Sequence, residues 1–137
     1  MFKMRSAKYA GLTALMWLLG MTPASATLID AIHALNPGDK YRVLFVTSTT
    51  TGGQLSDINT YNSFVQNAAA AGSVTSSLGL TWRALASTRS VDAQTNSSVL
   101  STDASTVRFF NTLGQLVAFS GADLWDGSLA APIIATE

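Results

Sequence analysis

The chain is 137 residues long, the size of a single domain, with 47% hydrophobic and 12% charged residues. Eight Lys and Arg balance eight Asp and Glu without forming a basic cluster, which argues against nucleic-acid binding, a function that depends on Lys and Arg neutralising phosphates. There is no cysteine, so no disulfide, thiol nucleophile or thiolate metal site is available, and burial must hold the fold together.

The N-terminus reads as an address rather than as part of the fold. Lys3, Arg5 and Lys8 precede an apolar run, YAGLTALMWLLGM at residues 9–21, and PASA at residues 23–26 supplies small residues in an A-x-A arrangement. These are the three regions of a secretory signal peptide. The apolar run is shorter than the ~20 residues of a comfortable membrane-spanning helix. Cleavage after Ala26 is expected to leave residues 27–137 as one exported domain with no membrane span, destined for the periplasm, cell surface or medium. That product keeps Lys40, Arg42, Arg83, Arg89 and Arg108 against all eight acids, a net charge of −3.

Beyond the signal, Leu28, Ile32 and Leu35 recur at helical spacing and NPGD at residues 36–39 stops the segment, which predicts a short helix. YRVLFVT at residues 41–47 is rich in β-branched and aromatic residues and nearly all apolar, which predicts a strand covered on both faces, the innermost of its sheet. STTTGGQ at residues 48–54 predicts a polar loop whose glycines lack the spacing of a phosphate-binding loop. Ile58, Tyr61, Phe64, Val65 and Ala68 then fall at steps of three and four, with Ser56 as N-cap and Gly72 as the stop, predicting a helix that packs on a sheet through its alanines.

LTWRALAS at residues 80–87 predicts a second strand, with Trp82, Ala84 and Ala86 on one face and Arg83 and Leu85 on the other. VDAQTN at residues 91–96 opens a short helix. VRFFNTLGQLVAF at residues 107–119 places two apolar runs around NTLG, a hairpin signal. APII at residues 131–134 reads as a last strand. Helices first and a hairpin later fit an α+β domain better than repeating βαβ units.

Candidate chemistry is sparse. His33 is the only histidine, which suits a surface or packing role. No serine sits in a G-x-S-x-G elbow. Asp123 and Asp126 flank Trp125 three residues apart, and such a pair can serve as acid and base of a hydrolase or bind Ca²⁺ with carbonyls. The favoured alternative makes Asp123 the cap of a short turn, Trp125 a core residue and Asp126-Gly127 the next turn. Arg83 beside Trp82, with Arg89 nearby, offers guanidinium donors to an anionic ligand, or else pairs with Asp92 or Asp123 to orient loops. Asn96-Ser97-Ser98 matches the N-glycosylation sequon. Arg83, Asp123 and Asp126 are therefore the ligand-binding candidates, and no catalytic residue, metal site or cofactor is assigned.

LNPGDKYRVLFVTSTTT, YNSFVQNAAAAG, TWRALASTRSVDAQTN and ADLWDGSLAAPI together resemble a module of exported bacterial proteins, many of which carry a PEP-CTERM sorting signal. More distantly, the order of elements around TWRALAS, FFNTLGQLV and ADLWDG is similar to endostatin-like domains of the C-type lectin-like fold. The resemblance implies an α+β, C-type lectin-like domain that lacks a tryptophan-bearing segment found after the equivalent of API. It transfers no zinc, calcium or sorting residues. The function it suggests is a non-enzymatic binding or surface-matrix module for a glycan or an extracellular protein, with a secreted hydrolase using Asp123 and Asp126, or a truncated remnant without independent activity, as the alternatives.

Overall fold

A computed structural model describes residues 27–134, so the signal-peptide reading of residues 1–26 lies outside the described residues. Helix α1, Leu28–His33, opens with a reciprocal capping box. The Thr27 hydroxyl accepts from the Asp30 N–H at 3.3 Å, and the Asp30 carboxylate accepts from the Thr27 N–H at 3.0 Å. Leu28, Ile32 and Leu35 pack into one cluster as their spacing predicts, Leu35 doing so from the turn that follows the helix.

Strand β1, Tyr41–Leu44, leads through the polar loop to helix α2, Ile58–Ala71. The N-cap of α2 is Asp57 rather than Ser56: its carboxylate accepts from the Asn59 N–H at 3.0 Å. Both residue types cap well, and the carboxylate adds its charge to the positive end of the helix. Gly72 ends the helix as expected but in an extended conformation, and the end is sealed by the buried Thr75 hydroxyl donating to the Ala69 carbonyl at 2.7 Å. A 3-10 turn, Thr75–Leu78, follows. Helix α3 is Ala93–Ser97, strands β2 and β3 are Arg108–Asn111 and Leu116–Ala118, and helix α4 is Gly121–Leu124.

The sheet order is β1-β2-β3, with β1 parallel to β2 and β2 antiparallel to β3. The architecture is thus α+β around a mixed three-stranded sheet. One expectation is corrected here: β1 is an edge strand, and β2 is central. An apolar run on both faces of a strand reports what covers those faces, and both are covered. Tyr41 and Val43 join Phe110 and Leu116 under α1 and α2, while Leu44 joins Phe109, Val117, Val99 and Leu124 on the opposite face. Nothing in that pattern reports whether a neighbouring strand is present.

The strand expected at residues 80–87 is also corrected. The segment is extended and alternates as predicted, with Trp82 and Ala84 buried and Arg83 and Leu85 exposed, yet it joins no ladder. Its backbone bonds go to side chains instead. The Trp82 N–H donates to Gln66 Oε1 and the Ala84 N–H to Asn62 Oδ1, both at 2.9 Å, and Asn96 Nδ2 donates to the Ala84 carbonyl at 2.7 Å. Two polar residues one turn apart on α2 thus take the place of a neighbouring strand.

The hairpin forms where NTLG predicts it. Asn111, fully buried, holds the turn: its Oδ1 accepts from the N–H groups of Leu113 and Gln115, and its Nδ2 donates to the Pro132 carbonyl. The APII segment is not a strand. It crosses the end of β2, where Ala130 N–H donates to the Val117 carbonyl and Val46 N–H to the Ile134 carbonyl, each at 3.0 Å. Pro132 has no N–H to give a ladder.

Candidate functional site

The side chain of Asp123 is held on the backbone. Ser120 caps α4 by accepting from the Asp123 N–H at 3.1 Å, and the Asp123 carboxylate accepts from the Phe119 N–H at 2.8 Å. The Asp126 carboxylate accepts from the Ser128 N–H at 2.8 Å, closing the turn that Gly127 continues with φ +90°. The cap of α4 is thus Ser120 rather than Asp123, whose carboxylate instead holds the residue before the cap, while Asp126 closes the turn expected at Asp126-Gly127. Trp125 between them is half-buried rather than fully buried, packs on the second core cluster, and donates its indole N–H to the Val99 carbonyl at 2.8 Å.

Arg83 pairs with neither Asp92 nor Asp123. Its guanidinium donates to the Asn96 carbonyl at 3.4 Å, while Arg42 donates to the carbonyls of Ser97 and Ser98 at 3.1 and 3.2 Å. Two guanidinium groups thus meet the C-terminal carbonyls of α3, where the helix end carries partial negative charge. The carboxylate of Asp92 is engaged elsewhere, capping α3 by accepting from the Thr95 N–H at 2.8 Å and its hydroxyl at 2.9 Å. His33 is exposed in the last turn of α1.

Arg42 and Arg83 belong to the wall of a cleft of about 730 Å³, bounded by β1 on one side and residues 80–85 on the other. That volume lies within the ~300–1,000 Å³ typical of ligand pockets. Its floor is apolar, formed by Leu44, Val99, Val107, Phe109 and Leu124, and its rim carries Lys40, Arg42 and Arg83 with Asp39. Lys40, Arg42 and Arg83 are three of the five basic residues among the described residues, whereas Asp39 is one of seven acids. The described residues, which carry more acids than bases, thus gather most of their positive charge around one hollow. Asp103 stands close enough to feel it: hydrogen bonds from Ser105 chiefly lower the carboxyl below its usual range, and Arg42 and Lys40 add to the effect.

Each guanidinium has five N–H donors in a planar fork, of which Arg42 spends two on carbonyls and Arg83 one. The cleft can thus offer remaining charge-assisted donors above an apolar floor. The sequence singled out Arg83 through its neighbour Trp82, which is buried against Phe45 with ring centroids 4.9 Å apart. It did not single out Arg42 or Lys40, because only the parallel pairing of β1 with β2 and the return of residues 80–85 bring the three cations to one rim. Among the described residues no three His, Cys, Asp or Glu side chains converge as a metal-binding group, and no helix is long and apolar enough to cross a membrane.

These elements define an α+β protein with a cation-rimmed, apolar-floored cleft at a sheet edge. Compared with known proteins, the chain matches no family model, no curated protein and no solved structure.

Proposed function

We propose that the chain is an exported, non-enzymatic binding module on a C-type lectin-like scaffold, and that it holds an anionic ligand, a glycan or an extracellular protein segment, in the cleft between β1 and residues 80–85. The observation that carries this reading is the gathering of Lys40, Arg42 and Arg83, three of the five basic residues among the described residues, around an apolar hollow. Arg83 is then a ligand-contacting residue, joined by Arg42 and Lys40. Asp123 and Asp126 are scaffold residues, since each carboxylate already accepts a backbone N–H.

The test is a binding screen of the full chain against acidic and neutral glycans and extracellular protein fragments, with and without Ca²⁺. Acidic ligands should be captured in both conditions. Leu85 is 43% exposed and lines the cleft, so Leu85→Glu places a negative charge there without emptying a core position. It should weaken capture at least about tenfold, roughly 1.4 kcal/mol, with the melting temperature unchanged. Capture that is indifferent to Leu85→Glu, or no capture by a folded sample, contradicts the reading.

A further inference from the structure

The backbone of β1 is open along the cleft. In the parallel ladder Tyr41 pairs with Arg108, and the Arg108 N–H donates to the Lys40 carbonyl at 3.1 Å. That register turns the amide groups of Arg42 toward β2 and those of Tyr41 and Val43 toward the other side. There, no described residue hydrogen-bonds them. The cleft follows this edge, because it is lined by consecutive residues of β1 whose side chains alternate between the two faces of the sheet. The facing wall, residues 80–85, is itself extended, with the amides of Trp82 and Ala84 already satisfied by Gln66 and Asn62.

An open strand edge is a template for another strand. Its charges narrow the choice of partner. A second copy of the same edge would set Lys40 and Arg42 against their own kind, and like charges directly opposite one another on paired strands are destabilising. An acidic strand gains where that one loses. Resting on the binding-module reading above, we infer that the ligand is an extended acidic-apolar peptide that adds beside β1 as a fourth strand. Its backbone pairs with Tyr41 and Val43, its carboxylates, on the face of the sheet that carries Lys40, Arg42 and Leu44, meet Lys40, Arg42 and Arg83, and its alternate apolar side chains turn to the other face, beside Tyr41, Val43 and Trp82. β1 spans about 13 Å at ~3.3 Å per residue, so about four to six peptide residues are engaged.

The experiment uses the full chain and a capped hexapeptide alternating Glu and Val, with its Lys-Val counterpart, two versions N-methylated on one or the other alternate set of amides, and an acidic oligosaccharide. The Glu-Val peptide should bind and slow amide exchange of Tyr41 and Val43 at least about tenfold, the equivalent of about one net hydrogen bond. One N-methylated frame should lose binding while the other keeps it, and the Lys-Val peptide should not bind. Equal behaviour of the two frames, or binding without protection of Tyr41 and Val43, overturns the inference. Oligosaccharide binding in the cleft without peptide binding also overturns it while leaving the binding-module reading intact. Failure of every ligand to enter the cleft overturns both.

Discussion

Asn96 shows how a short motif and a structural role can occupy the same residue. The Asn-Ser-Ser tripeptide fits a glycosylation sequon, but Asn96 is 5% exposed and its Nδ2, the atom a glycan would join, donates to Asn62 Oδ1 at 2.8 Å and to the Ala84 carbonyl at 2.7 Å. Asn62 Nδ2 returns a bond to Asn96 Oδ1 at 2.9 Å. Asn96→Ala strands the Ala84 carbonyl and one amide of Asn62, and should cost about 2–3 kcal/mol in urea unfolding. A loss under about 0.5 kcal/mol, the size of an ordinary surface change, would count against that network. Three letters of sequence carry no information about burial, so this role was not legible in them.

Gly114 was legible as a turn residue and no more. Its φ of +79° suits glycine, and a Cβ there would lie 2.6 Å from the Thr27 carbonyl oxygen, a backbone atom that cannot swing away. Gly114→Ala should therefore destabilise by about 2 kcal/mol or more, combining strain in the left-handed region with a clash against the start of α1. Urea unfolding checks the value, and an unchanged midpoint would contradict that contact. Ser98 offers the reverse case. It ends α3 with φ +55°, a conformation that costs a non-glycine residue roughly 1 kcal/mol, so Ser98→Gly should be neutral to slightly stabilising in the same measurement.

Among the elements, α1, α2, α3 and the hairpin were legible because their signals are local: apolar spacing for α1 and α2, VDAQTN at the opening of α3, and NTLG for the β2–β3 turn. The segment at residues 80–87 was legible only in its alternation. What it pairs with depends on Asn62 and Gln66, polar residues on the inward face of α2 that look like interruptions of an apolar stripe until the segment lies against them. Their joint replacement by alanine should speed amide exchange of Trp82 and Ala84 by at least about tenfold, as local opening no longer breaks those bonds. Unchanged exchange would mean that packing of Trp82 alone holds the segment.

The caps also set a pH response. The carboxyls of Asp30, Asp92 and Asp103 are lowered by hydrogen bonds from Thr27, Thr95 and Ser105 respectively. A carboxyl that is more acidic in the folded chain stabilises it above the unfolded value, about pH 4, and that contribution drains away as pH falls through the lowered folded value. The unfolding midpoint should thus be flat from neutral pH to about pH 5 and decline below about pH 4. Asp92→Asn, which keeps an acceptor for the Thr95 N–H but carries no charge, should make the acid decline shallower. A steeper decline in that variant would contradict the role given to the charge.

At the scale of the whole molecule, the sequence defined the class, α+β, and the faces of β1, while the order of strands and the site depended on the third dimension. An apolar run tells which strand faces are covered; an open edge is a property of neighbours distant in the chain. The same holds for the cleft, whose cations come from residues 40, 42 and 83. Their convergence follows from one parallel pairing and one side-chain ladder on α2, neither of which has a local signature. Asp123 and Asp126, three residues apart in sequence and conspicuous there, turned out to serve their own turns.

The most direct test of the cleft as the binding site is a residue-by-residue map of amide chemical-shift changes as an acidic ligand from the screen is titrated into the full chain. The changes should concentrate on residues 41–44, 80–85 and 97–99. A map centred instead on the turn carrying Asp123 and Asp126, or on the loop at residues 48–54, would contradict it.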